Sequence, residues 1–132
     1  LYELARFYLY GNKVIEKNVK YGLELLYRAV EKGYGRAQYF LATQLLEGKI
    51  VAVDEKKAFQ LFKKASLDDD IVCQNSFLEL GKCYFFGTGT RRNSRLAEYW
   101  FRKTLESNIS EDLQYEAKLW LGELKVAEKN SK

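Results

Sequence analysis

The pairs Leu4-Ala5, Leu41-Ala42, Leu80-Gly81 and Leu121-Gly122 recur at spacings of 37, 39 and 41 residues. Self-similarity at a period of about 40 residues constrains the fold more than composition does, because stacked units bury surface that one unit leaves open. The register extends well beyond the pair. A glycine stands six residues after each of the first three pairs, at Gly11, Gly48 and Gly87. A small residue follows ten or eleven positions further on, Gly22, Ala58 or Ala97, and opens the runs GLELLYRAV, AFQLFKKAS and AEYWFRKTL. Between glycine and run sit Asn18, Asp54 and Asn93, whose side-chain oxygens suit the N-cap of a helix.

Each unit therefore reads as a helix A, a glycine-ended loop and a helix B. The spacing predicts A helices over 1–10, 36–47, 71–86 and 111–128, and B helices over 19–32, 55–66 and 94–106. Gly11, Gly48 and Gly87 are expected to end their A helices in the left-handed conformation. Asp68-Asp69-Asp70 and Ser110-Glu111-Asp112 read as acidic starts to the third and fourth A helices, where the helix dipole favours negative charge. The expected organisation is one domain over residues 1–132, with repeats over 1–35, 36–70 and 71–110 and a final partial repeat over 111–132. Because it opens on Leu1 without a methionine, the chain is expected to be a piece of a longer protein.

The second unit, AQYFLATQLLEGKIVAVDEKKAFQLFKKAS, resembles the Sel1-like repeat, whose pattern is roughly A-x-x-x-L-G-x-x-Y-x-x-G-x-G-V-x-x-D-x-x-K-A-x-x-W-Y-x-K-A-A. Ala37, Leu41, Gly48, Val51, Asp54, Lys57, Ala58, Phe62, Lys64 and Ala65 fall on it, as do Leu80, Gly81, Tyr84, Gly87, Gly89, Asn93, Ala97, Trp100, Phe101 and Lys103 of the third unit. The first unit matches at Leu4, Tyr8, Gly11 and Ala29, and the fourth at Leu121-Gly122. Alanine replaces glycine in the first two units, Leu45 the tyrosine, and Ile50 the second glycine. The resemblance implies an all-α fold, a right-handed, TPR-like α-solenoid of helix-turn-helix repeats. It also implies a non-catalytic scaffold or adaptor that holds a protein or peptide on the concave side, lined by the A helices.

The stretch GTGTRR at 87–92 invites a phosphate-loop reading. Such a loop follows a strand and carries a lysine and a hydroxyl in GxxxxGK[ST], whereas here the preceding FLELGKCYFF has helical spacing and no GK[ST] follows. GNKVIEKN and GKIVAVD fill the same slot in the other units, so the stretch reads as a corner. Arg91, Arg92 and Arg95 read as a solvated loop, with an acidic partner or phosphate as the alternative.

The chain has no histidine, which removes the commonest general base and metal ligand. Cys73 and Cys83 give no disulfide framework; on one helix they would stand about 15 Å apart, beyond bridging distance. The acidic run at 68–70 lacks further oxygen ligands at calcium-loop spacing. No cofactor or metal is expected, and no compartment is implied. No run approaches the ~18 apolar residues that span a bilayer, so no direct membrane insertion is expected.

Helical spacing assigns faces. Leu1, Leu4, Ala5 and Tyr8, with Gln38, Leu41, Ala42 and Leu45, and Phe77, Leu80, Gly81 and Tyr84, are expected to pack on helix B of their own unit. Flanking apolar positions, including Phe7, Leu78, Phe85, Leu119, Leu124 and Val126, imply neighbouring repeats. The remaining face reads Glu3, Arg6 and Tyr10; Phe40, Thr43 and Glu47; Glu79, Lys82 and Phe86; Trp120, Glu123 and Ala127. All but Ala127 are candidate partner-binding residues, because spaced aromatics supply anchors and charges supply specificity. Alternatively these aromatics are core, and Trp120 covers an open end. An RNA-binding repeat protein is a second reading, disfavoured because Glu3, Glu47, Glu79 and Glu123 outnumber Arg6 and Lys82; no nucleic acid is expected. An enzyme is a third, since cysteine-rich relatives of the resembled family are linked to β-lactam hydrolysis; their recurring cysteine pairs are missing here. A monomer is expected.

Overall fold

A computed structural model describes residues 1–10 and 18–130. Its helices are α1 (Tyr2–Tyr10), α2 (Val19–Glu31), α3 (Gly35–Glu47), α4 (Glu55–Ala65), α5 (Asn75–Phe86), α6 (Ser94–Glu106) and α7 (Glu111–Asn130), and no strand occurs among the described residues. α1 pairs with α2, α3 with α4 and α5 with α6, while α7 packs mainly on α6. The result is a helical repeat solenoid with two layers, α1, α3, α5 and α7 in one and α2, α4 and α6 in the other.

The loops show why the same hairpin forms three times. Asn18 accepts the N–H of Tyr21, Asp54 that of Lys57 and Asn93 that of Leu96, at 3.0, 3.0 and 3.1 Å. Each cap residue also donates its own N–H to an A-helix carbonyl in one equivalent position: Asn18 to Tyr8 (3.0 Å), Asp54 to Leu45 (3.0 Å), Asn93 to Tyr84 (2.9 Å). One residue thus ends the loop, starts helix B and ties it to helix A. Gly48 and Gly87 end α3 and α5 in the left-handed region, with φ of 72° and 78°. Gly11, expected to do the same for α1, lies outside the described residues.

GTGTRR is a corner. Gly89 also has a positive φ, 72°, and its Cα lies against the Glu55 carbonyl at the start of α4, where a Cβ would collide with backbone. The second glycine lets this loop touch the preceding repeat.

The third A helix is shorter than expected. Residues 71–74 form a turn and α5 starts at Asn75. The aspartates cap this turn instead of the helix: Asp68 Oδ1 accepts from the Asp70 N–H (2.9 Å) and Asp70 Oδ1 from that of Val72 (2.8 Å). Asp70 also pairs with Arg36 across the units at 2.9 Å.

Two apolar clusters fill the space between the layers. One runs from α1 to α5 around Leu9, Leu26, Leu41, Phe62 and Leu80; the other joins α5, α6 and α7 around Leu78, Phe101, Ala117 and Leu124. Close approach needs the small residues: a Cβ on Gly22 would meet Leu9, and one on Gly81 would meet the Phe101 ring. Leu1 and Leu4 depart from the expected packing on α2. Leu4 is 44% exposed where its counterparts Leu41 and Leu80 are fully buried, and Leu1 is exposed where Gln38 and Phe77 are buried. α2 packs on α3 and α4 on α5, while no described helix takes that place on α1. Leu119 and Val126 of α7, which packs on α6 and α5 among the described helices, are each 53% exposed.

Candidate functional site: the open face of the A helices

Helical phase places the candidate residues in three slots per A helix. Glu3, Phe40, Glu79 and Trp120 occupy the first, Arg6, Thr43, Lys82 and Glu123 the second, and Tyr10, Glu47 and Phe86 the third. Ring contacts join α1 to α3, and ring contacts and an ion pair join α5 to α7.

The aromatics divide between the two readings. Phe40 is buried, held edge-on by Tyr2 at 5.7 Å and Tyr10 at 6.0 Å, so it is core and not an open anchor. Its slot lies between two aromatic residues of α1, which close over it. Tyr10 and Phe86 are each 56% exposed. Trp120 is half-buried, with its ring against Phe85 and Phe86 at 5.2 Å and stacked on Phe101 at 6.4 Å. Its indole N–H donates to Glu116 Oε1 at 3.3 Å.

The charges divide similarly. Lys82 bridges Glu79 (3.4 Å) on its own helix and Glu116 (3.3 Å) on α7. Burial pushes the Glu79 carboxyl up, and Lys82 opposes that shift. Burial acts most strongly on Lys82 and disfavours its charge, but Glu79 and Glu116 together outweigh it and leave the ammonium raised. The carboxylate facing Glu79 is Glu116, so the face holds a carboxylate–lysine–carboxylate bridge between α5 and α7. Glu79 also adds to the burial that lifts the Tyr39 phenol to about 12, while an Asn75 hydrogen bond opposes it. Arg6 lies over the Tyr2 ring at 5.8 Å. Thr43 donates its hydroxyl to the Phe40 carbonyl at 2.7 Å, so that group is committed to the backbone. Glu3, Glu47 and Glu123 are exposed.

Glu116, Tyr2 and Arg36 were not among the sequence candidates. The spacing of Glu116 and Trp120, one helical turn apart, was the available signal for the first. The cysteines have no place on this face as reactive groups: Cys73, in the turn before α5, and Cys83 are buried free thiols raised by burial to about 11 and 12. No group of three metal-ligating side chains comes together among the described residues.

A family model described as Sel1 repeat matches residues 1–34, 35–70 and 78–108. The chain belongs to the Sel1 repeat family. Among solved structures, a Sel1 repeat protein from Oxalobacter formigenes superposes with a TM-score of 0.75 at 29% identity, over 90% of this chain and 86% of that one. A protective antigen present in uropathogenic Escherichia coli strains, displaying an SLR fold, superposes with a TM-score of 0.71 at 30% identity, over 79% of this chain. This chain corresponds to 21% of that antigen's length. No match was found among curated proteins. Sel1 repeats are commonly protein-interaction scaffolds, and the helical repeat fold seen here is consistent with that role. No described helix is long and apolar enough to cross a membrane.

Proposed function

We propose that this Sel1 repeat chain is a non-catalytic adaptor that docks a protein or peptide on the open face of α1, α3, α5 and α7. The observation that carries the reading is the pair Tyr10 and Phe86. Each is a large ring, 56% exposed, braced edge-on by a neighbouring aromatic of the next repeat. Rings fixed in this way lose little conformational freedom on binding, which favours their use as anchors. The Glu79–Lys82–Glu116 bridge holds α5 and α7 in a fixed relation beneath Phe86 and so supports a preformed surface.

The test is retention of proteins from a lysate of the source cells on immobilised wild type and on a Tyr10→Ser, Phe86→Ser double variant. Phe86→Ser is a surface change, whereas Tyr10→Ser uncovers one edge of Phe40, so circular dichroism and melting establish that the variant is folded before the two are compared. A protein retained by wild type and lost by the folded variant supports the reading. Equal retention by both would move the docking surface elsewhere. Phe40 is left intact in this test, because truncating it would open the core.

A further inference from the structure

The charged groups on the A-helix face are not equally free. Two of its cations are paired within the molecule, Lys82 between Glu79 and Glu116 and Arg36, at the rim, on Asp70. That leaves the exposed Arg6, lying over Tyr2, as the one candidate cation on this face without a carboxylate partner among the described residues. The carboxylates Glu3, Glu47 and Glu123 are exposed and make no ion pair among the described residues. The free charge on this face is therefore negative on balance, although the chain as a whole carries +4. The excess positive charge lies in the other layer: α4 alone holds Lys56, Lys57, Lys63 and Lys64 against Glu55.

The third slot orders this charge between the two anchors. Tyr10, Glu47 and Phe86 occupy it in three successive A helices, as ring, carboxylate, ring. Tyr10 reaches the Phe40 ring at 6.0 Å and Phe86 the Trp120 ring at 5.2 Å, so side chains bridge successive A helices. At one helix diameter, ~10 Å, per step the two rings stand roughly 20 Å apart, with Glu47 on the helix between them. An extended chain advances about 3.3 Å per residue, so about six residues cover that span.

We propose that this row selects an extended segment of a partner protein in which a lysine or arginine lies about three residues from a large apolar residue on either side. The inference rests on the docking face described above. Charge complementarity supplies selectivity here, with a phosphate backbone repelled by the same carboxylates.

The test uses the whole chain and fluorescence anisotropy with three labelled peptides, Leu-Ser-Gly-X-Ser-Gly-Leu with X as arginine, glutamine or glutamate. The arginine peptide should bind at least about tenfold more tightly than the glutamate peptide, and added salt should narrow the gap. Glu47→Lys should reverse the order. That substitution puts a cation in the last turn of α3, where the helix dipole favours it, so lost binding would not report unfolding. Equal binding of the three peptides, an order unchanged by Glu47→Lys, or no binding of any peptide would overturn the proposal. So would a labelled oligouridylate that binds more tightly than the arginine peptide. If Tyr10→Ser with Phe86→Ser weakens binding while the wild type and Glu47→Lys each bind the three peptides equally, the docking face stands and the charge selectivity falls. If binding ignores both the ring and the charge variants, the docking face falls with it.

Discussion

At the scale of single residues, the small positions of this chain differ by what stands next to them. Gly89 combines a positive φ with contact against the Glu55 carbonyl, so Gly89→Ala should cost about 2–4 kcal/mol in urea unfolding. Gly122 occupies the slot of Gly81, but an added Cβ there meets nothing within 4 Å. Gly122→Ala should therefore stabilise by about 0.5–1 kcal/mol, the ordinary gain from removing a mid-helix glycine. An equal loss at both positions would contradict the packing described. Sequence made these glycines recognisable as slots of a repeat, and Gly87 recognisable as a corner. It could not show which slot is filled, since that depends on a neighbour distant in sequence. Phe40 illustrates the same limit, because its helical phase matches the open face and only the position of Tyr2 and Tyr10 buries it. Phe40→Ala should cost about 3–5 kcal/mol, against less than about 1 for Phe86→Ser.

At the scale of elements, the caps and the cross-helix bridge set how the repeats join. The N-caps were legible because a side-chain oxygen at a fixed offset from a periodic run has a local cause. The late start of α5 was not, because the aspartates satisfy a preceding turn, and Asp70 is drawn across to Arg36. Lys82 gives a prediction with a defined pH dependence. Lys82→Met leaves the partly buried Glu79 and Glu116 facing each other without a cation, and should cost about 1–2 kcal/mol at pH 7. The Glu79 carboxyl, already raised by burial, binds a proton more readily in the folded state than in the unfolded one. As pH falls through the carboxylate range Glu79 becomes neutral, the repulsion disappears, and the variant's deficit should shrink. In the wild type the raised Lys82 contributes stability below its unfolded pKa, lost as pH rises through the folded value. Urea titrations at pH 4 and pH 7 check the sign; a deficit that grows on acidification would contradict the bridge.

At the scale of the whole molecule, stability should fall toward the end of the array. The larger core cluster spans α1 to α5, while α7 buries only Ala117 and Leu124 along its 20 residues. Amide exchange should be slowest in α3, α4 and α5 and fastest in the second half of α7. The repeat register foretold this layering, whereas the exposure of Leu4 and Leu119 depends on which described helices pack on α1 and α7. The same layering leaves one face of the A helices open and underlies the adaptor reading. Its most direct test is a photocrosslinking amino acid placed at Arg6 or Glu123 on that face, and at Gln60 or Arg102 in the other layer, in lysate of the source cells. The account predicts one shared partner crosslinked from the first two positions and not from the last two. Crosslinks to that partner from Gln60 or Arg102 alone would contradict it.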